Sequence, residues 1–357
     1  MRAASCVAAT DVMRSRATTR AVIVFAMTVC SCASRMRQSD GAIVDVGATD
    51  AADAGPVHVS ATFDVEGHRG ARGLRPENTL PAFEIALDVG VDTLETDLHY
   101  SADGALIVWH DPIVSAAKCR IDPNASAPLP PDPATSPDDS RRIRNLTVAQ
   151  LHAYRCDRID SANFPAQTAA PGAVAGDRYS IVTLDELFDF VAQYANDPRK
   201  TDGQRARART IRFDIESKRS ADAPQDIGDG FDGTNPGPFE TAIVEAVHRR
   251  SMGSRIIVQS FDGASLAAVR MLDAAIPLSR LTLDVPVPSS LVSAGVRIWA
   301  PNAALLTRAN LSSAHAAGLL VLPWTVSDET SMRRLAEMGV DGMITDRPDV
   351  LLELIAR

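Results

Sequence analysis

Two carboxylates, Glu95 and Asp97, stand two residues apart in the run "VDTLETDLHY". The run reads as a strand. Residues two apart on a strand share a face, so both carboxylates point the same way. A third carboxylate, Glu216, ends the strand-like run "IRFDIE", and Lys218 follows it. Two histidines sit in turn-like settings, His68 in "GHRG" and His110 in "WHDP". Converging carboxylates repel one another unless a cation neutralises them. All-oxygen ligation suits Mg²⁺ or Ca²⁺ rather than a softer metal. Histidine moves protons near neutral pH, and a lysine beside a metal suits an anionic substrate. Each residue alone has a plainer reading, as a strand-end cap, a solvated charge or a hydrogen-bonded structural histidine. The set at the ends of neighbouring strands points to metal-assisted chemistry.

The elements that must position these residues follow a regular order. From about residue 60 onward, short apolar strands alternate with amphipathic helices. "FDVEGH" reads as a strand. "NTLPAFEIALDVG" reads as a helix, capped by Asn78 or Thr79, with Pro81 in its first turn, Gly90 at its end, and Leu80, Phe83, Ala86 and Leu87 on one face. Later strand-like runs are "RIIVQSF", "LSRLTLDV", "VRIWAP", "LLVLPWTV" and "DGMITD". The short turn "SADG" makes 93–100 and 105–110 an antiparallel hairpin, which sets "ALIVWHD" apart from the parallel set. Eight parallel strands remain, and eight close a (β/α)8 TIM barrel with an insertion after the second strand. The barrel domain is expected over 61–357, with the insertion at about 98–180, rich in Pro, Asp and Ser. If the hairpin pairs Tyr100 with Ala105, Asp97 lies opposite Val108 and Glu95 opposite His110. That register brings the carboxylates and His110 together. His68 ends the first strand beside them. Glu77 and Asn78 read either as part of the site or as residues that fix the loop over that strand.

The chain of 357 residues carries a formal net charge of −9, which counts against a nucleic-acid surface. Residues 1–32 read as a signal peptide. A basic stretch precedes the apolar run "AVIVFAMTV", which is too short to span a bilayer. "VCSCAS" then resembles a lipobox, with Cys32 as the lipidated residue and membrane association through that anchor. Residues 33–60 read as a flexible linker. These features imply an exported protein, periplasmic or an outer-membrane lipoprotein, or one on the cell surface. Outside the leader, Cys119 and Cys156 form an even pair, read as a disulfide stapling the insertion or as two buried thiols. Oligomeric state is not legible in the sequence.

The ordered runs "HRGARGLRPENTLPAFEIA", "LETDLHYSADGALIVWHD", "FDIESK", "VQSFD", "LPWTVSD" and "GVDGMITDRPD" resemble the signatures of the glycerophosphodiester phosphodiesterase family. The resemblance spans about 67–349 and implies the same inserted barrel. It implies metal-dependent hydrolysis of a small-molecule glycerophosphodiester to an alcohol and sn-glycerol 3-phosphate, with Ca²⁺ or Mg²⁺ as cofactor. It places metal ligation on Glu95, Asp97 and Glu216, and acid–base catalysis on His68 and His110. Arg69 and Lys218 would contact phosphate, and Phe261 and Trp324 would wall the pocket, or simply pack in the barrel. Ser217 departs from the pattern, being polar where the family is usually apolar. The insertion looks like that of exported bacterial members. Alternative readings are a lysophospholipase D-like or cyclising phosphodiesterase, and a non-catalytic binding module on a lipid tether.

Overall fold

Residues 55–356 are described by a computed structural model. The signal peptide, Cys32 and the linker expected up to residue 54 lie outside the described residues. Eight parallel strands form the centre: β1 (Asp64–Gly67), β2 (Thr93–Tyr100), β3 (Arg212–Ser217), β4 (Ile256–Ser260), β5 (Leu278–Thr282), β6 (Ile298–Pro301), β7 (Leu320–Val321) and β8 (Gly342–Thr345). Their spatial order is β7-β6-β5-β4-β3-β2-β1-β8. No regular ladder joins β7 to β8. Three backbone hydrogen bonds cross that seam instead: Asp341 N to Val321 O at 3.1 Å, Ile344 N to Pro323 O at 3.1 Å, and Val326 N to Ile344 O at 3.0 Å. The fold is the (β/α)8 TIM barrel, with irregular pairing where its last two strands meet.

Helices follow the strands and bury their apolar faces on the sheet. The first, α1 (Leu80–Val89), buries Leu80, Phe83, Ala86 and Leu87, the face expected from their spacing. Thr79 is its N-cap, and Gly90 ends it at φ 99°, a left-handed conformation that costs glycine little. Alternation along the strands divides their side chains. Leu94, Leu98, Phe213, Ile215 and Val258 join the hydrophobic cluster under the helices. The alternate residues, including Glu95, Asp97 and Glu216, therefore face the barrel interior.

The excursion after β2 begins with a strand at Leu106–Val108, antiparallel to β2. Its register differs by one residue from the expected one. Tyr100 pairs with Leu106 and Leu98 with Val108, so Asp97 lies opposite Trp109, whose N–H donates to the Asp97 carbonyl at 3.0 Å. The cause is the turn. Ser101 and Ala105 close a three-residue loop, with Ser101 N to Ala105 O at 3.0 Å and Ala105 N to Ser101 Oγ at 2.9 Å. Gly104 takes the left-handed position at φ 79°. His110 thus lies beyond the last ladder pair and is not cross-strand to Glu95. The insertion has its own small core around Trp109, Ile143, Leu151, Tyr154 and Ile181, and Cys119 is disulfide-bonded to Cys156 inside it. The short helix Val148–His152 carries a capping box from Thr147 and Gln150. Glu84 of α1 clamps the far end of the insertion, accepting from Val174 N at 2.9 Å and Ala175 N at 2.7 Å.

Candidate active site

The carboxylates come together because β2 and β3 are adjacent and in register, with Asp97 level with Glu216 and Glu95 level with Asp214. Glu95, Asp97 and Glu216 are all buried, and one oxygen from each lies within 4.8 Å of the others. Burial, together with Asp97 and Glu216, pushes Glu95 well above the usual carboxylate range. Burial also raises Glu216, against the pull of Lys218. Asp97 goes the other way: burial opposes its charge, but Arg69 and Lys218 outweigh it. The donor set, a buried all-oxygen trio, fits a hard divalent cation and could hold one. Among the described residues Asp97 Oδ1 accepts no hydrogen bond.

Neighbouring groups hold the trio in place. Glu95 accepts from Arg69 N at 2.8 Å on one oxygen and from Gln259 Nε2 at 2.9 Å on the other. Asp97 accepts from Asn78 Nδ2 at 2.7 Å, and Asn78 accepts from Thr96 Oγ1 at 3.0 Å. Asn78 therefore orients Asp97 while it fixes the loop. Lys218 Nζ lies 2.9 Å from Glu216 Oε1 and 3.5 Å from Asp97 Oδ1. Arg69 has a positive φ of 52°, and its guanidinium reaches Glu77 at 2.9 Å and Asp97 at 3.3 Å. Glu77 ties the loop to the insertion through Lys118 at 2.7 Å. Burial opposes its charge, yet Arg69, Lys118 and Arg72 hold it down at about 2. Deeper in the barrel, burial pushes Asp214 up to about 8 and raises Glu66 well above the usual carboxylate range.

His68 stands at the end of β1. Its Nδ1 lies 2.6 Å from Asp346 Oδ1, and its Nε2 lies 3.9 Å from Glu95 Oε2. Burial pushes this imidazole down to about 4, with Arg69 adding to the effect and Asp346 pulling back. A neutral His68 that donates Nδ1–H to Asp346 leaves Nε2 free to accept a proton. Asp346 also accepts from Arg72 Nε and Nη2, each at 2.9 Å. Sequence reasoning passed over Asp346 and Gln259. The signal for Asp346 was its place directly after β8, where a polar strand-end residue reads as functional. The signal for Gln259 was a lone amide in the buried run "RIIVQSF". His110 is half-buried and bonds Asp111 Oδ1 through Nδ1 at 2.7 Å. His99, buried, donates Nε2–H to the His110 carbonyl at 3.0 Å. Phe261 and Trp324 meet edge to face, with ring centroids 5.3 Å apart. They line one pocket of about 110 Å³ with His68, His110, Glu95 and Glu216, and Arg69 and Lys218 line it too. The structure thus brings eight of the nine candidate residues to one cavity wall, and Asp97 lies directly behind it. Cys119 and Cys156 lie apart, in the insertion.

Residues 68–350 match the glycerophosphoryl diester phosphodiesterase family. The chain belongs to this family. A glycerophosphodiester phosphodiesterase from Bacillus subtilis (strain 168) is 26% identical over 295 residues, covering 79% of this chain and 83% of its own. One from Bacillus altitudinis is 29% identical over 286 residues, covering 79% and 94%. Among solved structures, a Silicibacter pomeroyi DSS-3 protein classed with the glycerophosphoryl diester phosphodiesterases superposes with a TM-score of 0.67 at 28% identity, covering 84% of this chain and 97% of its own. An Oleispira antarctica phosphodiesterase, solved with sn-glycerol-3-phosphate as product, shares the fold with a TM-score of 0.59 at 19% identity, covering 82% and 96%. The enzyme class is therefore that of a phosphoric diester hydrolase acting on glycerophosphodiesters.

Proposed function

We propose that this phosphodiesterase releases sn-glycerol 3-phosphate and an alcohol, with a divalent cation, Ca²⁺ or Mg²⁺, held by Glu95, Asp97 and Glu216. The observation that carries the reading is the buried carboxylate trio flanked by two histidines, each oriented by its own aspartate. When bound, the cation supplies Lewis-acid polarisation of a phosphoryl oxygen and lowers the pKa of a glycerol hydroxyl. The protein's own residues do the rest. Arg69 and Lys218 offset the charge of the phosphoryl oxygens. His68 Nε2 takes the proton of the glycerol 2-hydroxyl as its oxygen bonds to phosphorus, and Asp346 stabilises the imidazolium that forms. The bond from phosphorus to the other alcohol breaks, and His110 gives that oxygen a proton. The roles then reverse. His110 takes a proton from water as it opens the five-membered cyclic phosphate, and His68 returns its proton to the glycerol oxygen.

Product analysis by phosphorus NMR tests this reading on glycerophosphocholine and glycerophosphoethanolamine. Release of sn-glycerol 3-phosphate supports it, and release of the head-group phosphate refutes it. The exposed apolar residues Leu283, Val285 and Val287 follow β5 at the strand-end face. They favour a second reading, cleavage of lysolipids, in which an acyl chain lies along that rim. A lysophospholipase D from Rattus norvegicus is 24% identical to the chain over 301 residues. An accumulating cyclic phosphate would instead mark a cyclising phosphodiesterase. The assembled histidine and carboxylate set counts against a non-catalytic binding module. We further propose export, with a lipid tether on Cys32; the disulfide in the insertion supports an oxidising compartment.

A further inference from the structure

A second cavity, of about 590 Å³, lies between the insertion and the strand-end pocket. The two cavities share Arg69, Arg72 and His110. In the reaction proposed above, on which this inference rests, His110 protonates the departing alcohol. The alcohol therefore leaves on the side where His110 meets the larger cavity.

The charges lining that cavity are not equally available. Glu77 is neutralised by Arg69, Arg72 and Lys118. Asp111 is held by His110 at 2.7 Å and Lys118 at 2.5 Å. Asp160 accepts from the backbone and side chain of Asn163, at 3.2 and 2.8 Å, neutral donors that leave its charge in place. Both aromatic rings already have a cation over one face: Arg72 at 4.8 Å from the Phe164 centroid, and Lys118 at 5.7 Å from that of Trp109. The lining carries four cations, Arg69, Arg72, Lys118 and Arg158, against three carboxylates, Glu77, Asp111 and Asp160, and offers a quaternary ammonium no open aromatic cage. Arg158 differs from the other cations. Among the described residues its guanidinium has no hydrogen-bond or ion-pair partner, and it lines the cavity.

The wall that carries Arg158 is built, not loose. Arg158 N donates to Lys118 O at 3.4 Å. Cys156, two residues earlier, is bonded to Cys119, the neighbour of Lys118. Further along, Asp160 N donates to Gln167 Oε1 at 2.7 Å, and Gln167 Nε2 donates to Arg72 O at 2.7 Å. The segment is thus tied at one end to Lys118 and Cys119 within the insertion, and at the other, through Gln167, to the loop that carries Arg69 and His68.

We propose that this cavity is the leaving-group subsite, and that Arg158 makes it select leaving alcohols bearing an anionic group, a phosphate or a carboxylate, over those bearing a quaternary ammonium. The test compares kcat/KM of the whole folded protein, with cation supplied, on four substrates. Their leaving groups are glycerol phosphate, serine, choline and, as an uncharged reference, glycerol. The expected result is preference for glycerol phosphate over choline by about tenfold, with that ratio falling about five- to tenfold in Arg158→Glu and less in Arg158→Ala. A fall confined to the glycerol phosphate substrate assigns a phosphate as the recognised group, and a parallel fall with serine assigns any anion. Hydrolysis of the glycerol reference with no preference, or a preference that survives Arg158→Glu, overturns the subsite while leaving the reaction intact. Failure to hydrolyse any of the four overturns the reaction and the subsite with it.

Discussion

Replacing Asp346 with Asn removes one charge and leaves the shape of the side chain. The carboxylate accepts from His68 Nδ1 at 2.6 Å, Arg72 Nε and Nη2 at 2.9 Å, and Ser327 Oγ at 3.1 Å. An amide offers one accepting oxygen, and in either orientation it turns a donor toward Arg72. In the transition state His68 carries the proton, so the lost contact is a hydrogen bond between charged groups, which contributes about 1.5–3 kcal/mol. That converts to a fall in kcat/KM of roughly 10- to 150-fold, in line with losses of about 10–100-fold when groups that orient metal-site residues are removed. A second signature separates this role from a merely structural one. Asp346 pulls the His68 pKa up, while burial, Arg69 and Arg72 push it down to about 4. Without the carboxylate the pKa falls further, so the acid limb of the pH profile moves to lower pH while the plateau drops. The assay is release of sn-glycerol 3-phosphate from glycerophosphoglycerol across the acid range, with unfolding temperature measured in parallel. Activity within threefold of wild type in a folded variant, or an acid limb that stays put or moves up, refutes the assignment.

His110→Ala should lower turnover on choline or glycerol leaving groups by about 10²–10⁴-fold, the span expected for general acid catalysis. The same variant should retain far more activity on a nitrophenyl phosphodiester, whose leaving group needs no proton; an equal loss on both substrates would remove His110 from the acid role. Cys119→Ser with Cys156→Ser opens a bridge between residues 37 apart in sequence, which the chain-entropy account values at about 3–4 kcal/mol. Limited proteolysis should then cut the insertion well before the barrel, whereas unchanged resistance would show that the small core around Trp109 suffices. Glu84 is buried; burial opposes its charge, but Lys200 and the N–H groups of Ala175 and Val174 hold its pKa below the ordinary glutamate value. A depressed carboxylate contributes stability above its unfolded pKa and loses it as pH falls through the folded one. The stability gap between wild type and Glu84→Gln should therefore be full near neutral pH and shrink below about pH 4.5, as read from chemical denaturation. A gap that widens on acidification would contradict the clamp.

Much of the site was legible because strand geometry is local. Alternation alone put Glu95 and Asp97 on one face, and the rule that function gathers at strand ends picked out His68 and Glu216. The helix over 80–89 was readable from its apolar spacing, its early proline and its terminal glycine. What failed was pairing. The turn after Tyr100 was read as four residues, but the Ser101 hydroxyl and left-handed Gly104 make it a three-residue loop, and the one-residue slip moved His110 off Glu95. Asp346 and Gln259 were missed because their partners, His68 and Glu95, lie 278 and 164 residues away in sequence. The first contact exists only once the barrel has brought its first and last strands together, and the second only once β2 and β4 share its interior. The charge balance around Arg158 was hidden for the same reason: Glu77 meets Lys118 across 41 residues.

The most direct test of the central claim is release of sn-glycerol 3-phosphate from glycerophosphoglycerol by the chelator-treated protein, titrated with Ca²⁺ and with Mg²⁺, alongside Glu95→Gln and Glu216→Gln. The account predicts no turnover without cation, saturable recovery on its return, and recovery in neither variant even though both remain folded. Full activity in excess chelator, or a Glu216→Gln protein that recovers like the wild type, would contradict it.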